Sequence, residues 1–156
     1  MNQTDLVAML LANLREAFDG PQDPSDAWFN SDRGLGYVGV LRSLDAARAS
    51  HAPTPGGKTI AAHVAHAAFH LRASAAWLRG DKSAAGWATT WDPPQVSPAD
   101  WIALQQLLRQ QYNDLADAIR QVKDWSPDEL GGAIGAIAHA AYHLGAIRQI
   151  LRHVKA

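Results

Sequence analysis

Residues 59–78 read TIAAHVAHAAFHLRASAAWL, a stretch with the spacing of a helix and no alternation of period two. Thr59 is a good N-cap, Ile60, Val64, Ala67, Leu71 and Leu78 form an apolar stripe, and Gly80 supplies a stop. At about 100° per residue, His63, His66 and His70 fall within a sector of roughly 60° beside that stripe. Three histidines thus share one helix edge.

The rest of the chain shows the same periodicity. A first helix is predicted from Thr4 as N-cap, through Leu6, Met9, Leu10 and Leu14 to Phe18, and Gly20 and Pro21 stop it. The polar stretch PQDPSDAWFNSDRG (residues 21–34) contains Trp28 and Phe29, which predicts a loop packed on the body. A short helix is predicted over residues 37–49, and a second loop, 81–96, carries Trp87 and Trp91. Ser97, Pro98 and Asp100 open a helix whose core face is Trp101, Leu104, Leu108, Tyr112, Leu115, Ile119 and Val122. Ser126 to Glu129 matches a capping box and opens a last helix over about 127–154. The expected fold is all-α: one domain over 1–156, a four-helix bundle with long connecting loops and one extra short helix.

Composition narrows the function. The 14 basic and 15 acidic side chains leave a net charge of −1, so no field draws the chain to nucleic acid or an anionic membrane. Without cysteine, disulfides and thiolate ligands are excluded, and any metal must use nitrogen or oxygen donors. The start lacks a basic n-region, and no apolar run is expected to reach the roughly 18 residues of a membrane span. A cytoplasmic protein is expected.

The last predicted helix contains HAAYHLGAIRQ (residues 139–149), with His139 and His143 one turn apart on one face. If it faces the helix from Thr59, one of His63, His66 or His70 can join this pair around a divalent ion, leaving a coordination position for water. Ala138, Ala140, Ala141, Gly145 and Ala146 leave little bulk there, which suits either close helix packing or a guest. His51 and His153 sit near helix ends and are read as solvated or capping groups. Glu16 and Glu129 are the only glutamates, too few for a ferritin-like di-iron site, and His-Glu-x-x-His is absent. The glycines at 34, 36 and 39 follow no strand and make no dinucleotide fingerprint. Trp28, Phe29, Trp87, Trp91 and Tyr142 are candidates to cover the site, and Arg148 is a candidate to meet a substrate carboxylate or to form a surface ion pair.

TIAAHVAH at 59–66 and HAAYHLGAIRQ at 139–149 together resemble the DinB/YfiT-like family of bacterial four-helix-bundle metalloproteins. The resemblance spans almost the whole chain. It implies His66, His139 and His143 as ligands; His63 and His70 are additional to the family's pattern, and either can replace or supplement His66 as a metal or outer-sphere group. It further implies zinc or nickel, a homodimer, a small-molecule substrate and, in some members, a low-molecular-weight thiol such as bacillithiol. Three functions are weighed: a metal-dependent thiol S-transferase, a metal-dependent hydrolase, and a non-catalytic metal-stabilised dimer.

Overall fold

The computed structural model describes residues 2–83, 86, 90–91 and 95–153, and these contain six α-helices and no strand. The long helices are α1 (Gln3–Asp19), α4 (Ile60–Leu78), α5 (Pro98–Gln121) and α6 (Pro127–His153); the short ones are α2 (Tyr37–Arg42) and α3 (Ala46–Ala49). Packing centres on α4, which lies against α3, α5 and α6, while α1 lies against α2, α5 and α6.

The sequence of α4 explains its central place. Ile60 through Val64 are all buried, as are His66, Ala67, Ala68, Leu71 and Ala75, so the first half of the helix is covered around its whole circumference. A helix without a polar face is a core helix, and its alanines let neighbours approach closely. The α5 stripe turns inward as expected at Trp101, Leu108, Leu115 and Ile119, whereas Leu104 and Tyr112 are half-buried.

Several helix ends differ from expectation. The N-cap of α1 is Asn2, not Thr4: the Asn2 side chain accepts the Asp5 N–H at 2.9 Å and the Asp5 carboxylate accepts the Asn2 N–H at 3.2 Å. That reciprocal pair satisfies two donors, which a cap at Thr4 would leave unpaired. The single helix expected over 37–49 is two, because Asp45 caps a new start by accepting the Arg48 N–H at 2.8 Å. Thr59, Ser97 and Gly80 act where expected: Thr59 and Ser97 accept the N–H groups of Ala62 and Asp100, and Gly80 turns the chain at φ 98°.

The glycines near residue 36 have a packing role. A Cβ on Gly39 would lie 1.5 Å from the Gly34 carbonyl oxygen, and one on Gly36 would lie 2.5 Å from the Phe18 backbone. Two backbone segments therefore touch where any side chain would part them.

The residue 21–34 loop is held by a buried carboxylate. Glu16 in α1 is 3% exposed, and its oxygens accept the backbone N–H groups of Trp28 (2.9 Å), Phe29 (2.7 Å) and Asn30 (2.5 Å). Arg148 in α6 donates to Asn30 Oδ1 at 3.1 Å and pairs with Asp32, closing the other side of the loop.

The expectation that no apolar run is long enough to span a membrane does not hold. Residues 130–147 contain no Asp, Glu, Lys or Arg, and α6 passes by length and composition. One face of α6 is core, with Ala133, Ala136, Ile137, Ala140, His143, Leu144, Ile147 and Ile150 buried. Small residues raise its mean hydropathy without making every face apolar.

Replacing Glu16 with alanine is expected to destabilise the protein by about 2–4 kcal/mol, because several backbone donors lose a charged acceptor at once. Urea unfolding checks the loss, and faster amide exchange at residues 28–30 locates it. A change under about 0.5 kcal/mol, the ordinary range for a surface substitution, would refute the anchor.

Candidate metal centre

Helices α4 and α6 carry five histidines into one cluster. His63, His66 and His70 come from α4, His139 and His143 from α6. Ligand nitrogens of His66, His139 and His143 all lie within 4.8 Å of one another, so these three can hold one metal ion. His66 and His143 are buried and His139 is half-buried.

The distances suit a first-row ion. His139 Nε2 and His143 Nε2 are 3.2 Å apart. Two nitrogens about 2.05 Å from a tetrahedral zinc are separated by about 3.3 Å, so this pair needs almost no rearrangement. The second ring nitrogens of His66 and His143 have partners. His66 Nδ1 lies 2.7 Å from Thr90 Oγ1, which leaves Nε2 as its ligand atom. His143 Nδ1 lies 2.8 Å from His63 Nδ1. Coordination of His143 through Nε2 would place its proton on Nδ1, where it would donate to His63 and make His63 an orienting partner of a ligand.

His70 takes a different position. Its ring stacks on His139, with centroids 3.6 Å apart and planes at 12°, and its Nδ1 is 3.3 Å from Ser74 Oγ. Trp91 covers the cluster elsewhere: it stacks on His66 at 4.1 Å and 9°, and meets His63 and His143 edge-on at 5.2 and 5.5 Å.

All five imidazoles are driven toward the neutral form that a metal requires. Burial first, and then the charge that neighbouring histidines would carry, lowers His143 to about 3 and His70 and His139 to about 4. Burial is also the leading cause of the downward shifts of His63 and His66. Among the described residues no carboxylate belongs to the cluster, so an ion there keeps its full positive charge.

Comparison with protein-family models, curated proteins and solved structures returns no match. The chemistry of the site rests on its own residues.

The other expected site residues scatter. Trp28 and Phe29 lie on the loop that Glu16 anchors, and their rings are 65% and 44% exposed. Tyr142 is exposed but meets the His143 ring edge-on at 4.9 Å. Arg148 pairs with Asp32 and donates to Asn30 Oδ1, forming the ion pair. Trp87 lies outside the described residues. His51 is exposed, and His153 Nδ1 bonds to the Gln149 carbonyl at the end of α6. The small residues beside the pair divide: Ala140 is buried, and its carbonyl accepts the Tyr37 hydroxyl at 2.9 Å, whereas Ala138 and Gly145 are exposed. Thr90 and Ser74 were missed. Ser74 follows His70 by one turn, a signal present in the sequence; Thr90 reaches His66 from a loop and gives none.

Protein purified without a metal-affinity tag is expected to bind one divalent ion per chain, and His139→Ala with His143→Ala should abolish binding. Elemental analysis decides; full occupancy in the double variant would refute the centre. His63→Ala should weaken affinity about 10- to 100-fold while leaving the site able to fill.

The metal-free protein should also lose stability in acid. Below about 6.5 the unfolded chain takes up protons that the folded cluster refuses until near pH 4, so stability falls as pH drops through that window. Unfolding curves at pH 7.5 and 5.0 check this, and the pH dependence should shrink in His139→Ala.

Proposed function

We propose that this chain is a metal-dependent small-molecule enzyme of the DinB/YfiT type, a thiol S-transferase in chemistry, built as a four-helix bundle that works as a homodimer in the cytoplasm. The observation that carries it is the convergence of His66, His139 and His143, with the outward nitrogens of His66 and His143 already engaged. Three neutral imidazoles hold zinc or nickel well and do not close a four-coordinate site. The pairing of TIAAHVAH with HAAYHLGAIRQ supports the family assignment.

When bound, a divalent ion supplies undiminished positive charge, which favours the anionic form of a thiol or of water near neutral pH. The chain's own groups do the rest. Thr90 and His63 fix ring orientation, and Trp91 shields the His66 face from solvent. His70, neutral and stacked on His139, stands beside the cluster without adding charge.

A small thiol should bind the cobalt-substituted protein and give a thiolate charge-transfer band. Titration with bacillithiol, mycothiol, glutathione and cysteine tests this and identifies the preferred cofactor. If none gives a band while the ion is retained, the transferase reading fails; activity toward esters or amides without thiol would then favour hydrolysis. A four-coordinate, closed cobalt spectrum would mark the centre as structural.

A further inference from the structure

A groove of about 750 Å³ runs between α4 and α6 and ends at His70 and His139. Its walls are Phe69 and Trp77, and small residues, among them Ala73 and Gly135, form much of the remaining lining. The groove meets the histidine cluster at His139, while Trp91 covers the cluster at His66.

Two glycines of α6 show how the groove is shaped. A Cβ on Gly132 would lie 2.8 Å from the Trp77 ring, so Gly132 is the seat of that wall. The Lys82 ammonium lies 3.0 Å from the centroid of the same ring, and Lys82 pairs with Glu129 at 3.4 Å. Gly135 differs: a Cβ there would touch nothing within 4 Å. A glycine inside a helix is unfavourable relative to alanine, and here no close packing explains it. It leaves groove volume instead. The Arg72 guanidinium lies 5.0 Å from the Phe69 ring centroid, so each aromatic wall carries a cation.

We propose that this groove is the ligand site of the metal centre, and that its occupant is a small monoanion with an apolar, aromatic-bearing tail. The anionic head goes to the ion beside His139, and the tail lies between Phe69 and Trp77. This deepens the metal reading above and rests on it. Charge complementarity selects the head, since the three ligands are held neutral and no carboxylate joins the cluster among the described residues; Asp81, the carboxylate of the groove lining, accepts the Ser83 N–H. The aromatic walls and small-residue floor select the tail.

The test uses the cobalt-substituted full chain and four thiols sharing one head group: 2-mercaptoethanol, benzyl mercaptan, 2-phenylethanethiol and 4-phenylbutane-1-thiol. Affinity, read from the thiolate band, should rise along the phenyl series by about fourfold per buried methylene until the groove is filled. Gly135→Leu should erase that gain while leaving cobalt content and 2-mercaptoethanol affinity unchanged. Ala73→Leu, from the opposite helix, should do the same and serves if the first variant misfolds. Equal affinity for all four thiols, no thiol binding at all, or a tail effect untouched by both variants would overturn the groove while leaving the metal centre standing. Wild-type protein that binds no cobalt would overturn both.

Discussion

The rest of the structure depends on keeping five imidazoles neutral and in contact between two helices. An imidazole in such a place cannot charge without facing its neighbours, and burial opposes charging further. Neutrality makes each ring both donor and acceptor, which allows the His63–His143 contact and the His66–Thr90 contact to form without any carboxylate. The result is a cluster of ring nitrogens inside an apolar body.

The helix framework follows from the same constraint. α4 must be buried to keep its histidines dry, and its alanine-rich surface accepts α5 and α6 on different sides. α6 needs one core face and one face open to the groove, and glycines at 132 and 135 serve those ends differently. Tyr37 links the short helix α2 to the Ala140 carbonyl, within the turn that carries His139 and His143. Its buried hydroxyl is pushed strongly upward in pKa and stays protonated as a donor.

Among the described residues, loops complete the site without carrying its candidate ligands. Glu16 and Arg148 use their charges on the first loop. The second loop supplies Thr90 and Trp91, one by hydrogen bond and one by stacking. Protection on the His66 side and access on the His139 side make the centre asymmetric.

Much of this was legible in the chain itself. Periodicity located the four long helices, and the Thr59 and Ser97 caps were readable because capping is settled within four residues. The i,i+4 spacing of His139 and His143 placed both on one face for the same local reason. Asn2 and Asp45 were missed because several local caps compete and only the realised hydrogen bonds choose. The register between α4 and α6 is not local at all. Three histidines shared one edge of α4, and residue spacing alone could not rank them; tertiary packing brings His66 among the ligand nitrogens, sets His63 behind His143 and stacks His70 on His139. The sequence determined that imidazoles would line two helices. Which nitrogen meets which, and where a groove opens beside them, was decided by how two small-residue helix surfaces come into contact.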